Sequence, residues 1–242
     1  MSKYNFDLIN EYCENKNLPL DDKKREGLAT FYEMLVEKNK VMNLTGITEW
    51  DDVVLRHFID SLSLVECIDL SKFQGKVLDL GTGAGFPGMP LKILYPDVEF
   101  VLFDSLNKRI KFLEDVSASL SLKNISLIHG RAEEFARKPE HRESYDLVLS
   151  RAVANISTLS EYCLPFVKVG GSFVSYKTEA IDEELKESGR AVSLLGGEVN
   201  HIVRFELPHS DMKRSLLKIE KVKPCSKKYP RKAGVPSKEP LK

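Results

Sequence analysis

The stretch Lys76-Val77-Leu78-Asp79-Leu80-Gly81-Thr82-Gly83-Ala84-Gly85-Phe86-Pro87-Gly88 constrains this chain more than any other. A short apolar run ends in a carboxylate and passes into a loop of alternating glycines. Met89-Pro90-Leu91-Lys92-Ile93-Leu94 then reads as an early helix. Strand, glycine-rich turn and helix bring a ligand against bare backbone, because Gly81, Gly83 and Gly85 carry no Cβ. Pro87 sits near the helix start, where a missing N–H costs little. The plainer reading is a tight turn with no ligand, but alternate glycines weaken a chain unless something approaches them.

Gly83-Ala84-Gly85-Phe86-Pro87-Gly88 formally fits G-x-G-x-x-G, the dinucleotide fingerprint, which is weak by itself. Asp79 at the strand end would repel a pyrophosphate, and Phe86 and Pro87 crowd the helix mouth. The early glycines form G-x-G-x-G instead. This resembles the first motif of the Rossmann-like methyltransferases, which hold S-adenosylmethionine, a sulfonium beside which an Asp is welcome.

The flanking chain suits that frame. Residues 1–70 lack strand signals. Phe6, Leu8, Ile9 and Tyr12 have helical spacing; Asp21-Asp22 opens a longer pattern with Leu28, Phe31 and Leu35; Asn39 to Gly46 reads as a break; and Thr48-x-x-Asp51 opens a further helix. This is a helical cap. Strands are predicted at 76–80, 98–103, 125–129, 145–150 and 172–176, alternating with helices at 87–95, 108–122, 156–169 and 179–195. The third helix is expected to end at Gly170-Gly171. Two closing strands near 198–207 and 215–222 have no helix between them, which predicts a hairpin and an antiparallel edge. Strands alternating with helices give a parallel doubly wound sheet. The fold class expected is therefore α/β: a Rossmann-like seven-stranded methyltransferase sheet over 71–222, an N-terminal helical cap over 1–70, and a basic C-terminal tail over 223–242.

Hydrophobic content of 42% and charged content of 30% suit a soluble globular protein. No apolar run spans a bilayer and no signal-peptide pattern opens the chain, so a cytoplasmic protein with no membrane partner is expected. Cys13, Cys67, Cys163 and Cys225 lie far apart, which indicates neither a zinc site nor a disulfide framework, and no metal is expected. The formal net charge is zero, but the tail is basic: Lys227, Lys228, Arg231, Lys232, Lys238 and Lys242 face one acid, Glu239. Pro224, Pro230, Pro236 and Pro240 exclude a long helix there. The tail reads either as a solvated end or as an arm that tracks phosphates, with Tyr229 as an aromatic handle.

In open α/β sheets ligands lie beyond the carboxyl ends of the strands. Past the second strand, Asp104 can accept from both ribose hydroxyls; its other reading is a helix cap. Past the third, Ala132 and Glu133 suit an adenine edge; Glu133 also reads as a surface acid. Past the fourth, Ser150-Arg151-Ala152 lacks the Asn/Asp-Pro-Pro-aromatic motif that accepts hydrogens from an exocyclic amine. Arg151 is a donor. A ring nitrogen such as guanine N7 has a free lone pair and needs no base, while its neighbour O6 accepts from guanidinium. Lys108, Arg109, Arg131, Arg151 and Arg214 converge at one rim if this fold holds, each otherwise being a solvated charge. Catalysis is then mainly positioning.

Asn43-Leu44-Thr45, Arg56-His57-x-x-Asp60-Ser61, the Asp79–Gly88 stretch, Asp104-Ser105-x-x-Lys108-Arg109, Arg131-Ala132-Glu133, Ser150-Arg151-Ala152 and Tyr229-Pro230-Arg231-Lys232 occur in that order. Together they resemble the bacterial small-subunit ribosomal RNA guanine-N7 methyltransferase family, also called the glucose-inhibited division protein B family. The resemblance implies S-adenosylmethionine as donor and a guanine in the decoding-centre loop of 16S ribosomal RNA as acceptor. The expected cofactor residues are Gly81, Gly83, Gly85, Phe86, Asp104, Ala132, Glu133 and Arg151. Arg151, Lys108 and Arg131 are the expected catalytic cations, and Lys108, Arg109, Arg131 and Arg214 the expected RNA contacts. His57 is expected to be structural, and a monomer is expected. The competing readings are a nicotinamide-dependent oxidoreductase using Gly83, Gly85 and Gly88, and a non-catalytic RNA-binding module.

Overall fold

A computed structural model describes residues 3–151, 154–179 and 181–242; Ala152 of the Ser-Arg-Ala motif lies outside them. The N-terminal region is helical: α1 (Asp7–Asn15), α2 (Asp22–Met42) and α3 (Trp50–Val53), which runs on as a π-helical turn (Val54–Ile59) into α4 (Asp60–Leu62). Asp21 caps α2 by accepting from the Lys24 amide. The expected break comes later than predicted, because α2 continues to Met42 and ends at Asn43 in the left-handed region. Thr48 does not cap the next helix: its carbonyl instead accepts from the Tyr32 hydroxyl, and Glu49 precedes Trp50 with no side-chain cap.

The remainder alternates as β1 (Lys76–Leu80), α5 (Gly88–Leu94), β2 (Glu99–Asp104), α6 (Asn107–Ser119), β3 (Ile125–His129), α7 (Ala132–Phe135), β4 (Tyr145–Ser150), α8 (Ile156–Cys163), β5 (Val167–Thr178), α9 (Asp182–Leu194), β6 (Gly197–Glu206) and β7 (Lys213–Lys221), then a short α10 (Val235–Lys238). The sheet order is β3-β2-β1-β4-β5-β7-β6. This is the seven-stranded α/β sheet expected from the alternation. β1 is an interior strand, and the chain turns to β2 and β3 on one side and to β4 on the other. Such a switch point leaves a crevice beyond the strand ends.

Strand residues alternate between two cores. Val77, Phe100, Leu102, Leu147 and Leu149 face α1, α2, α5 and α6. Leu78, Leu80, Val101, Phe103 and Val148 face the α8 and α9 side. A sheet covered on both faces needs apolar residues at both parities, which is why the central strands read as continuous apolar runs.

Two details of the expected order change. The helix after β4 ends at Cys163 rather than Val169, and Val167 already pairs with Tyr145. The β-branched Val167 and Val169 favour strand, and Gly170 (φ +88°) and Gly171 form an irregularity inside β5 rather than a helix stop. The closing strands do pair as an antiparallel hairpin, but β7 inserts between β5 and β6 and is antiparallel to both. The outermost strand, β6, is therefore parallel to β5. Leu216, Leu217 and Ile219 bury β7, while β6 carries exposed Glu198, Asn200 and His201, as an edge strand should.

Among the described residues no helix is long and apolar enough to cross a membrane, and no cluster of His, Cys, Asp and Glu could hold a metal ion. The four cysteines are free thiols.

Candidate functional site

Asp79, next to last in β1, lies with its side chain beneath the glycine loop, not in the crevice. One oxygen accepts from Thr82 Oγ1 (2.6 Å) and from the Gly88 amide (2.9 Å). The other has no partner, and the group is fully buried. Burial raises its pKa to about 6, against those two hydrogen bonds and the Arg151 charge, which lower it. Asp79 thus shapes the loop rather than meeting a ligand's charge.

The loop places its glycines differently. Gly81 (φ +78°) is exposed, and a Cβ built on it meets nothing within 4 Å, so its peptide is bare to the crevice. Gly83 donates from its amide to Asp104 Oδ2 (2.9 Å). Gly85 faces the core, where a Cβ would lie 2.8 Å from Leu113 Cδ2. Phe86 is buried too, stacked on His57 with centroids 4.4 Å apart and flanked by Phe31.

A first cavity of about 420 Å³ opens beyond the carboxyl ends of β1 to β4. That is within the range of small-ligand clefts, roughly 300–1,000 Å³. Gly81, Asp104, Arg109, Arg131, Ala132 and Glu133 meet there. Leu80, Phe103 and Leu159 form apolar walls, and Tyr162, Cys163, Gly234 and Ser237 close one side. Asp104 takes three donors: the Gly83 amide, the Leu106 amide (2.8 Å) and Arg109 Nη1 (3.3 Å). It therefore braces the turn that leads into α6, whose N-cap residue is Leu106 with no side-chain cap, and faces the cavity at once. Glu133 is buried and accepts at Oε1 from the Gly234 amide (2.9 Å).

A second cavity of about 570 Å³ lies beside the first, and Ala154 lines both. Arg151 and Arg214 are here, not with Arg109 and Arg131. Both bind Asp60: Arg151 Nη1 to Oδ2 (2.8 Å) and Arg214 Nε to Oδ1 (3.0 Å). The Arg151 guanidinium also lies over the Phe86 ring, 5.1 Å from its centroid. The π-helical turn delivers Arg56 and His57 beside Asp60, and Tyr176 fastens α4 to the sheet through a hydroxyl bond to the Ser61 carbonyl.

His57 is held neutral. Burial first, then the Arg151 charge, push its pKa down to about 3. Arg151 Nη2 lies 3.3 Å from Nδ1, and Thr45 Oγ1 lies 2.8 Å from Nε2. Nδ1 also lies 3.1 Å from the Arg56 carbonyl, so it stands between an acceptor and the guanidinium donor, and the two contacts call for opposite tautomers.

Four of the five cations of the expected rim are thus divided between two cavities. Lys108 is exposed on the first turn of α6 and lines neither; Gly83, Gly85 and Phe86 line neither. Sequence reasoning passed over Asp60 as the group that gathers the arginines, and over Gly234 and Ser237. Asp60 carried a signal, being four residues after Arg56 on one helical stretch. The tail residues carried none, since their basic surroundings pointed to solvent.

The strand order, with its crevice beyond β1 to β4, defines a Rossmann-like methyltransferase fold. Solved structures share it: a SAM-dependent methyltransferase from Aquifex aeolicus (TM-score 0.52, 19% identity, 76% of this chain and 97% of that one) and M. jannaschii TYW2 in complex with AdoMet (TM-score 0.50, 15% identity, 63% and 72%).

Sequence relatives narrow this further. Residues 24–216 match the profile of GidB, rRNA small subunit methyltransferase G, and the chain belongs to that family. It is 48% identical over 237 residues to the Ribosomal RNA small subunit methyltransferase G of Clostridium tetani (strain Massachusetts / E88), spanning 98% of this chain and 99% of that protein. It is 51% identical over 224 residues to the protein of the same name from Lachnoclostridium phytofermentans (strain ATCC 700394 / DSM 18823 / ISDg), spanning 93% and 92%.

Proposed function

We propose that this protein is an S-adenosylmethionine-dependent methyltransferase that methylates N7 of a guanine in the decoding-centre loop of 16S ribosomal RNA, as a cytoplasmic monomer. The first cavity fits the donor. It offers bare peptide at Gly81, carboxylates at the ends of β2 and β3, and apolar walls for a purine face. Ala132 and Glu133 hold the adenine, Asp104 the ribose, and Gly81 the backbone-facing side. Bound there, the cofactor supplies an electrophilic methyl group on a sulfonium.

The observation that carries the reading is the second cavity, adjoining the first at Ala154 and lined by Arg151 and Arg214. A guanine placed there meets donors suited to its O6 acceptor, while N7 keeps its lone pair for the methyl carbon. No proton leaves N7, which accords with a His57 whose pKa is pushed down to about 3, a weak base in contact with Thr45. Arg131 and Lys108, exposed near the first cavity, serve the RNA backbone together with Arg109. The dinucleotide alternative is poorly supported, since a Cβ on Gly88 would run into Leu102 and Gly85 faces the core; neither glycine is open to a pyrophosphate.

The test is methyl transfer from labelled donor to small-subunit RNA and to the assembled particle, followed by reductive strand scission to map the modified nucleotide. Scission at one decoding-centre guanine is expected. Labelled RNA that resists scission would place the methyl elsewhere than N7, and unlabelled RNA would make the protein a binder.

A further inference from the structure

The basic tail is docked on the sheet domain, and one part of it reaches the first cavity. Its anchor is Glu161 on α8, a fully buried carboxylate. Arg231 meets it with its own amide (2.7 Å), with Nε (2.9 and 3.1 Å) and with Nη2 (2.7 Å). Arg142 adds bonds to the carbonyls of Cys225 (2.8 Å) and Tyr229 (3.0 Å), and Thr158 Oγ1 donates to the Pro236 carbonyl (3.0 Å). Arg231 is the cation that pairs this buried carboxylate, and loss of the guanidinium alone would leave it unpaired, a strongly unfavourable state. Docking is therefore built into the fold. The lysines at 227, 228, 232 and 238 remain exposed, so the tail spends one arginine internally and keeps its other charges outward.

We infer that segment 231–238 is a wall of the cofactor cavity and that the Gly234 amide positions Glu133 to recognise the purine-nucleoside end of the ligand. The inference rests on the assignment of the first cavity to S-adenosylmethionine. Gly234 and Ser237 line the cavity between Glu133 on one side and Leu159 and Tyr162 of the α8 region on the other. The Gly234 amide takes Glu133 Oε1, which fixes the carboxylate plane and leaves Oε2 free of that bond. Gly234 has φ +82°, a conformation glycine adopts without strain, so its N–H can aim at Glu133. Gly234 and Arg231 are positioning residues: they act on the ligand through Glu133 and through the closed wall.

Three full-length variants test this by calorimetric titration with two probes, S-adenosylhomocysteine and S-inosylhomocysteine, which differ at the purine 6-position. The parent is expected to bind the adenosyl probe more tightly. Arg231→Ala releases the anchor; it should weaken that probe about tenfold and bring the two affinities together, as loss of a preorganised contact does. It should raise KM for the donor with kcat and KM for RNA little changed. Arg231→Lys should recover part of the selectivity. Ser237→Phe leaves the anchor intact and adds bulk at the cavity mouth, so it should weaken both probes about tenfold at an unchanged melting temperature. That variant decides the matter if Arg231→Ala fails to fold. Parental affinities in Ser237→Phe, or parental selectivity in a folded Arg231→Ala, would overturn the inference. A parent that binds neither probe would overturn the cofactor assignment itself.

Discussion

The Arg151 guanidinium donates to the Asp60 carboxylate across 2.8 Å, bridging a helical cap residue to the end of β4. Arg214 takes the other oxygen of the same group, so one acid gathers two cations at the second cavity. Under the proposed N7 methylation the sharing has an electrostatic use. N7 methylation leaves the purine positively charged, and two unpaired guanidiniums would oppose that charge.

Asp60→Asn keeps the size and removes the anion. Arg151 and Arg214 lose a charged partner, and their guanidiniums should drift from the base. A shift of this kind costs on the order of 10²-fold in turnover. The lost charge-assisted bonds should lower stability by about 1.5–3 kcal/mol. Single-turnover methylation and thermal melts check both; parental turnover would detach the pair from catalysis.

Asp79 gives a pH signature. Its folded pKa is raised from 3.8 to about 6. The folded state then holds a proton that the unfolded chain releases, so this contribution is fully present below 3.8 and is lost as pH climbs through about 6. Asp79→Asn stays neutral and keeps an acceptor for Thr82 and Gly88. The melting temperature of the parent, measured relative to that variant, should fall as pH rises across this window. Parallel curves would mean that Asp79 titrates normally.

His57 slopes the other way. Its folded pKa is depressed from 6.5 to about 3, so the unfolded chain binds the proton first. Stability from this site is present above 6.5 and drains away as pH falls toward 3. Relative to His57→Phe, which stays uncharged at all pH values, the parent should lose melting temperature between neutral and acid pH. A constant offset would mean that His57 charges freely in the fold.

Two glycines of one loop should behave differently when replaced by Ala. At Gly81 a Cβ meets open space but the backbone is left-handed, so roughly 1–2 kcal/mol of strain is expected, with weaker S-adenosylhomocysteine binding. At Gly85 the same strain is joined by contact with Leu113 at 2.8 Å and Met89 at 3.1 Å. Overpacking of that kind adds about 1–3 kcal/mol. Denaturant midpoints and ligand titrations should therefore separate the two, Gly85→Ala losing more stability than Gly81→Ala.

Local chemistry made much of this protein readable from its residues. Apolar runs at 76–80, 99–104 and 145–150, glycines where backbone must turn, and acids at the strand ends specify a doubly wound sheet with a crevice, because each depends on a few adjacent residues. Valines at 167 and 169 were less legible, since helix and buried strand look alike in a short apolar run and only pairing with Tyr145 chose between them. The partners of the charges lay beyond reach. Arg231 meets Glu161 across 70 residues and Arg151 meets Asp60 across 91, and a cation in sequence carries no mark of whether it will face solvent, phosphate or a buried acid. Chain order determined which residues end the strands. Tertiary packing alone decided which cations are spent inside the protein, because a buried carboxylate must be paired by whatever the fold brings beside it.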